Sequence, residues 1–195
     1  MRFHCGPVPN SPDFDPSPPW RQLREPSPSV MQLFALPIGV GSALAMIFLW
    51  FLLTPLPRGS LSLSIPKIIG LFAGIIIVHE LIHAAVHPMA GRSSHSILGW
   101  WPSHGLFYAV YGGEMTRNRF IAILVMPLLV ISIVPLAVAA ITQTAVGWIA
   151  FASILNALLA CGDVFAIGLL LWQLPAKAIV RNQGYYTYWQ PDKEI

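Results

Sequence analysis

Four long apolar runs separated by short polar joints dominate the hydrophobic pattern of this chain of 195 residues. They cover approximately residues 33–53, 67–89, 120–141 and 148–174. Each run is long enough to cross the ~30 Å hydrocarbon core of a bilayer as a helix that rises ~1.5 Å per residue. A segment inside lipid must satisfy its own backbone hydrogen bonds, and a helix does so. The pattern therefore predicts an all-α membrane protein with a bundle of four transmembrane helices.

The segments outside these runs differ from them in composition. Residues 1–30 contain eight of the 18 prolines, so we expect a disordered tail there, then a transmembrane domain over 31–175 and a cytoplasmic tail over 176–195. The joint between the second and third runs has two stretches rich in aromatic and branched residues, Ser96–Trp101 and Leu106–Tyr111, around a turn sequence. They predict either a small β-hairpin at the membrane surface or an interfacial loop anchored by aromatic side chains.

The charge pattern agrees with a membrane protein. Only 10% of the residues are charged and 55% are hydrophobic, whereas soluble domains carry about 25% charged residues. Nine of the lysines and arginines lie in the two tails and the second joint, and two lie in the first joint. By the positive-inside rule, this asymmetry predicts four spans in the inner membrane with both termini in the cytoplasm. The basic residues do not form the kind of patch that binds nucleic acid, so we expect no such partner.

The second run contains the sequence His79-Glu80-Leu81-Ile82-His83. Helical spacing places the two imidazoles on one face, one turn apart, where they can bind one tetrahedral zinc ion. Glu80 projects beside the same ion and can act as a general base, taking a proton from zinc-activated water and passing it to a leaving amine. Ionisable side chains are costly inside a membrane, so three together need a common cause, and a metal supplies one.

Asp163 is the candidate third zinc ligand. Within the four runs, the acidic residues are Glu80 and Asp163 alone. A carboxylate completes a hydrolytic zinc site and leaves one position for water, although a hydrogen-bonded structural carboxylate is the alternative. Three glycines in the second and fourth runs would let these helices pack closely around the ion: Gly70, Gly74 and Gly162.

Other polar residues in and near the runs have weaker assignments. Asn156 precedes Asp163 by two helical turns on the same face and is a candidate substrate-binding residue. Orientation of a ligand, or a simple interhelical hydrogen bond, would explain Asn156 as well. His87 continues the histidine stripe of the second run but lies too far along the helix for the same ion, so we interpret it as an interface residue. His95 and His104 have no predicted role.

Residues 76–83, with the motif His-Glu-x-x-His, and the later Cys161-Gly162-Asp163 resemble the putative zincin peptidases. That family is similar in logic to the site-2 proteases, which cut peptide bonds within the membrane. The resemblance covers about residues 66–175. It implies a zinc cofactor held by the two histidines and the aspartate, with the glutamate as general base. Site-2 proteases usually have prolines between the asparagine and the aspartate of the ligand helix, and this chain has none there.

These residues predict an intramembrane zinc metalloprotease that hydrolyses peptide bonds of membrane-embedded or membrane-adjacent substrates. The substrate would be a peptide or protein in the bilayer, held in extended form along the predicted hairpin by strand addition. The alternative is a non-enzymatic metal-binding membrane protein, either an inactive peptidase or a metal carrier. A carrier should have a ladder of polar sites across the span, and the first and third runs offer none. A site made only of ligands would also have no need of Glu80.

Overall fold

The computed structural model describes residues 1–56 and 64–192. In this part of the chain there are six α-helices: α1 (Pro28–Leu53), α2 (Ile65–Val86), α3 (Arg117–Pro127), α4 (Val134–Thr142), α5 (Gly147–Leu159) and α6 (Cys161–Gln173). A π-helical segment, Leu128–Ile133, joins α3 to α4 into one span. This span, α1 and α2 are long and apolar enough to cross a membrane, and the bent pair α5–α6 would make a fourth. Their length and composition indicate a membrane protein.

Local sequence signals set where these helices begin and end. Pro28 and Pro66 lie in the first turns of α1 and α2. Backbone N–H groups in a first turn have no acceptor within the helix, so a proline there costs no hydrogen bond. The α2 helix ends just before Pro88, which cannot continue the hydrogen-bond ladder. The hydroxyl of Thr116 caps α3 by accepting from the backbone N–H of Arg119 at 3.2 Å.

The fourth apolar run is not the single helix that its hydrophobicity predicts. It breaks at Ala160 into α5 and α6, which are bent by 46°. Backbone hydrogen bonds continue through the break, from Ala160 to Asn156 at 2.8 Å and from Val164 to Ala160 at 3.0 Å. The α1 helix packs tightly against this point, since a Cβ added to Gly39 would lie 2.6 Å from the carbonyl oxygen of Leu158. Tertiary packing rather than proline therefore accompanies the bend.

The prediction of an all-α fold is wrong, because the described residues also form two sheets. Their seven strands are β1 (Arg2–Cys5), β2 (Arg21–Gln22), β3 (Ser96–Trp101), β4 (Leu106–Tyr111), β5 (Met115–Thr116), β6 (Ile179–Gln183) and β7 (Tyr186–Gln190). One sheet has the order β1-β3-β4 and the other β2-β7-β6-β5. The predicted hairpin is confirmed as β3–β4, an antiparallel pair in which Ser96 faces Tyr111 and Trp101 faces Leu106.

The proline-rich segment before α1 is ordered rather than the disordered tail that its composition predicts. Its strand β1 pairs in parallel with β3, and β2 pairs with β7. The part of the segment between β1 and β2 is held in place by the buried side chain of Arg181, which lies in β6. The guanidinium bonds to the Asp13 carboxylate at 2.7 Å and to the Gly112 carbonyl at 2.9 Å, and it lies 4.5 Å from the centre of the Phe14 ring. Prolines limit the strands to short stretches but do not prevent these contacts.

The sheets gather both tails and the second joint at one end of the helix bundle. The first tail pairs with β3 and β7, and β5, which follows the hairpin, pairs with β6 of the second tail. Which side of the membrane this end faces stays a prediction from the basic residues. Two of those residues, Arg58 and Lys193, lie outside the described part of the chain.

The predicted close packing at Gly70, Gly74 and Gly162 is wrong. A Cβ added to any of the three would meet no atom within 4 Å. The tight helix contact lies instead between Gly39 on α1 and the end of α5. The bundle core therefore forms between α1, the α3–α4 span and α5, where Trp50, Leu136 and Ala157 are buried together. The site described next lies beside this core.

Candidate metal centre

The side chains of His79, Glu80 and His83 converge on one point beside α2. The two histidines are one helical turn apart, and their ring centroids are separated by 4.8 Å. Both are buried, with 7% and 5% of their surface exposed. One potential ligand atom from each of the three side chains lies within 4.8 Å of the others. Helical spacing alone thus assembles two imidazoles and a carboxylate in one place.

Asp163, in the first turn of α6, brings a second carboxylate to this point. Its Oδ2 lies 3.0 Å from Nε2 of His79 and 3.3 Å from Nε2 of His83. Ligand atoms bound at about 2.0–2.1 Å in a zinc tetrahedron are separated from each other by about 3.3–3.4 Å. The two distances from Asp163 to the histidine nitrogens are therefore close to those between neighbouring ligands of such a tetrahedron.

The Nδ1 atom of His83 lies 2.9 Å from the backbone carbonyl oxygen of Ile123 in α3. A carbonyl oxygen can only accept, so Nδ1 carries the proton and donates it to this hydrogen bond. In the neutral ring, Nε2 then presents a lone pair towards Asp163. The bond also fixes the plane of the imidazole, which is how metal-binding histidines are oriented in proteins.

Asn156 orients the other histidine in the same way. Its Oδ1 lies 2.9 Å from Nδ1 of His79, while its Nδ2 donates to the Pro127 carbonyl at 3.1 Å and to the Ser132 hydroxyl at 2.9 Å. Because both amide hydrogens are used, Oδ1 is the acceptor and His79 carries its proton on Nδ1. Asn156 is fully buried and is not among the residues that line the cavity described below. These contacts agree with the alternative that Asn156 orients a ligand, here His79, and its role in substrate binding stays a prediction.

With both rings neutral and protonated on Nδ1, the Nε2 atoms of His79 and His83 and Oδ2 of Asp163 face one another as three acceptors. A cation between them stabilises this arrangement, and so does an additional proton on a ring, which turns its Nε2 into a donor to Asp163. Two imidazole nitrogens and a carboxylate oxygen, with each ring held through its other nitrogen, form a donor set that suits zinc. The residues present therefore fit a zinc ion.

A chain of buried hydrogen bonds supports Asn156 from behind. The hydroxyl of Ser132 donates to the Ser153 carbonyl at 2.8 Å, and the hydroxyl of Ser153 donates to the Ser132 carbonyl at 2.9 Å. The indole N–H of Trp50 donates to the Ser153 hydroxyl at 3.0 Å. The network links α1, α5 and the π-helical segment to His79, and buried networks with all members paired give rigidity. Sequence reasoning missed Trp50, Ser132 and Ser153, although serines in two apolar runs were a visible signal.

The bend at Ala160 explains how Asn156 and Asp163 both reach His79. On a straight helix, residues seven apart lie about 10.5 Å from each other along the axis. Here one contacts Nδ1 and the other contacts Nε2 of the same small ring. The bent pair therefore places the two side chains on opposite nitrogens of the His79 ring.

Glu80 lies between the metal centre and the edge of strand β4. Its side chain lines the same cavity as Ala109 on β4. Among the described strands, β4 pairs only with β3, so its other edge faces Glu80. A cavity of about 290 Å³ follows this edge and is lined by His79, Glu80, His83 and Asp163 together with residues 106–111. Glu80 thus has both a cavity and a strand edge beside it.

The remaining histidines are placed apart from the ligand set. His87 is 1% exposed, caps the end of α2, and has its Nδ1 3.2 Å from the Ser96 hydroxyl. It lies at the rim of the same cavity rather than among the converging atoms. His95 contacts the ring of Tyr111, and the His104 ring lies against Trp101 in the hairpin. His87 thus joins the end of α2 to strand β3, and its predicted role as an interface residue stays a prediction.

Comparison with known proteins gives one match. Residues 72–179, more than half of the chain, match the model of a family described as "Putative zincin peptidase". This range contains α2 from residue 72 onward, the hairpin and the bent pair α5–α6, and so His79, Glu80, His83, Asn156 and Asp163. No curated protein and no solved structure matches the chain.

Proposed function

Because the chain belongs to the family of putative zincin peptidases, we propose that it is an intramembrane zinc metallopeptidase. It would hydrolyse peptide bonds of membrane-embedded or membrane-adjacent substrates. The family implies metallopeptidase activity and zinc. The observation that carries the finer proposal is the convergence of Nε2 of His79, Nε2 of His83 and Oδ2 of Asp163, with Glu80 beside them.

Zinc held by these three side chains would polarise the scissile carbonyl and make a water molecule acidic enough to react at neutral pH. Glu80 is the group placed to move protons. Its carboxylate would take a proton from the water whose oxygen adds to the carbonyl carbon, and it would return that proton to the nitrogen as the C–N bond breaks. The carboxylate lies in the cavity with the three proposed ligands, within reach of both transfers. Asn156 and Ile123 keep the two imidazoles in the tautomer that leaves Nε2 free.

The free edge of β4 supports strand addition as the mode of substrate binding. Glu80 and residues 106–111 line one cavity, so a peptide laid along β4 would pass beside the base. An extended peptide exposes the bond to be cut, whereas a helix protects it within its hydrogen-bond ladder. The hairpin would then both align the substrate and keep it unwound at the cleavage point.

The location of the site supports a substrate from the membrane. His79 lies seven residues from the end of α2, about 10 Å into the span from the end that carries the sheets. Large apolar side chains cover the outer faces of the helices, including Phe48, Phe51 and Ile141. A surface of this kind faces lipid rather than water. We propose an inner-membrane location with four spans and both termini in the cytoplasm, which places the sheets and the opening of the site at the cytoplasmic end.

The deciding experiment separates metal binding from hydrolysis. The purified full chain, its Glu80→Gln variant and a Glu114→Gln control are analysed for zinc and tested in proteoliposomes against a panel of fluorogenic transmembrane peptides. We expect about one zinc ion per chain in all three, with cleavage by the parent and control and a loss of 100-fold or more in Glu80→Gln. Zinc in all three without cleavage in any would instead support an inactive peptidase or a metal carrier. Loss of zinc in Glu80→Gln would make Glu80 a ligand.

A further inference from the structure

The cavity at the metal centre extends to a second polar group that the peptidase chemistry does not use. At this far end it is lined by Glu25, from the segment before α1, and by Tyr185 and Thr187, from the β6–β7 hairpin. Glu25 and these hairpin residues lie outside residues 72–179, the part that matches the family. This end of the cleft is therefore a feature of this chain beyond the matched region.

Among the described residues, the carboxylate of Glu25 has no cationic partner, since none of the ion pairs includes it. One oxygen accepts from the backbone N–H of Thr187. The other lies 3.5 Å from the Thr187 hydroxyl, which is closer to Oδ1 of Asn182 at 3.2 Å and has a single proton to donate. The second oxygen of this half-buried carboxylate is thus an acceptor without a full donor.

Tyr185 lines the same end of the cavity as this carboxylate. Its oxygen is buried and, among the described residues, has no hydrogen-bond partner. Tyr185 occupies the two-residue turn between β6 and β7, where Gly184 supplies a positive φ of 59°. Burial and then the nearby charge of Glu25 raise the pKa of the Tyr185 phenol, so it stays a neutral hydroxyl. A buried phenol oxygen without a partner is unusual in a folded protein.

We propose that Glu25 and Tyr185 form a specificity subsite that binds a cationic side chain, lysine or arginine, of the peptide held in the cleft. An ammonium or guanidinium group offers several donors and one positive charge. It would bond to the free carboxylate oxygen and to the phenol oxygen at once, and it would neutralise the buried charge. No neutral side chain meets both needs. The proposal rests on the peptidase function proposed above, since it names the substrate that the cleft selects.

Two further observations agree with a cationic occupant. Burial raises the pKa of Glu25 to about 7, as expected for a carboxyl that lacks a positive neighbour. In addition, membrane proteins carry an excess of lysine and arginine next to the cytoplasmic ends of their spans. A cleft that opens at the proposed cytoplasmic end would meet such a residue in many substrates, directly beside an apolar segment.

The test measures peptide binding in the Glu80→Gln background, so that it does not depend on hydrolysis. Fluorescent peptides with one apolar segment and a polar flank carry a single lysine, or norleucine of the same length, at each flank position in turn. We expect at least one position at which lysine binds about tenfold more tightly than norleucine. Glu25→Gln keeps an acceptor for the Thr187 N–H and should abolish this preference. Tyr185→Phe should weaken the preference about threefold or more, and Glu114→Gln should leave it unchanged.

Equal binding of lysine and norleucine peptides at every position would overturn the subsite, as would a preference that survives Glu25→Gln. Thermal unfolding of each variant shows whether a lost preference comes from a lost fold. A lysine preference in Glu80→Gln together with no cleavage by the parent would leave the subsite standing and reject the peptidase function. Cleavage by the parent without any lysine preference would support the peptidase function and reject the subsite.

Discussion

The imidazole of His83 donates from Nδ1 to the carbonyl oxygen of Ile123, 2.9 Å away on a neighbouring helix. In a regular α-helix this carbonyl would accept from the backbone N–H of residue 127. Residue 127 is proline and has no N–H, so the carbonyl is free. The proline that interrupts the ladder of the third span thereby provides the acceptor that orients a histidine of the metal centre. A π-helical segment follows directly, as is common near functional sites.

Replacement of Pro127 tests this arrangement. In Pro127→Ala the new N–H can bond to the Ile123 carbonyl and compete with His83, so the ring loses its fixed orientation. We expect zinc affinity to fall about tenfold or more, in the range seen when partners of metal ligands are removed. The measurement is zinc affinity by competition with a chelating dye. Pro135→Ala is the matched control, because the carbonyl that Pro135 frees in the same span bonds to no metal-centre residue. Similar losses in both variants would contradict the proposed role.

Two residues of the buried hydrogen-bond network next to His79, Asn156 and Ser153, should affect different properties when replaced: zinc affinity and stability. Asn156→Leu removes the acceptor for His79 and should lower zinc affinity about 10- to 100-fold. Ser153→Ala leaves Asn156 bonded to His79 but removes the partner of the Trp50 indole. It should cost about 1–3 kcal/mol of stability and leave zinc affinity within twofold. Chemical denaturation in detergent and zinc titration measure the two effects. The interpretation fails if Ser153→Ala weakens zinc as strongly as Asn156→Leu.

The features of this site that could be predicted are those that depend on residues close together in the sequence, and not on contacts between helices. The spacing of His79 and His83 follows from helix geometry, and the structure brings the two rings together as predicted. Asp163 could be named as a candidate because so few acidic residues lie in apolar runs, and its role as a ligand stays a prediction. For Asn156 the sequence left three roles open, since the choice depends on which helices are neighbours. The contact with Ile123 could not be read at all, because it involves a backbone atom.

The same distinction applies to the fold. The apolar runs predicted the spans, and the aromatic stretches predicted the β3–β4 hairpin, because both signals are local. Strand β1 was missed since its partner, β3, begins more than 90 residues later, and the prolines around it are typical of disordered chain. The bend at Ala160 was missed because no proline marks it and Gly162 was interpreted as a packing residue. Packing against Gly39 and the two bonds to His79 are tertiary features.

Glu25 predicts a specific dependence of stability on pH. Its pKa in the folded protein is raised by burial to about 7, against an ordinary value of 4.5. The folded chain therefore holds this proton over a range in which the unfolded chain has released it, and Glu25 makes stability fall as the pH rises from 4.5 to 7. The cost at pH 8 should be on the order of 3 kcal/mol. Glu25→Gln cannot ionise, so its advantage in unfolding free energy over the parent should grow from pH 5 to pH 8.

Equilibrium unfolding of the parent, Glu25→Gln and Glu114→Gln at four or five pH values measures this effect. Glu114 is exposed, so its variant should differ from the parent by a constant amount. An advantage of Glu25→Gln that is independent of pH would show that the carboxyl ionises normally. A cationic peptide bound at Glu25 should reduce the pH dependence of the parent, because it stabilises the charged form.

The third zinc ligand is the residue on which the proposed centre most depends. Asp163 is favoured over His87 for two reasons. Its Oδ2 already lies within 3.3 Å of both imidazoles, and it supplies negative charge that two neutral rings lack. His87 is engaged with Ser96 at the end of α2. Asp163→Ala should therefore lose more than 100-fold in zinc affinity, whereas His87→Gln, whose amide can still bond to Ser96, should bind zinc as the parent does.

Zinc should also link α2 to α6 through Asp163, so metal binding is expected to stabilise the bundle. At a free zinc concentration 1,000 times the dissociation constant, the gain is about 4 kcal/mol. Zinc per chain and the shift of the unfolding midpoint on zinc addition give two independent readouts. The shift should appear in the parent and in His87→Gln and be absent from Asp163→Ala. Full occupancy in Asp163→Ala, or loss of zinc in His87→Gln with the fold intact, would move the third ligand from α6 to the end of α2 and leave Asp163 as a hydrogen-bond partner of the histidines.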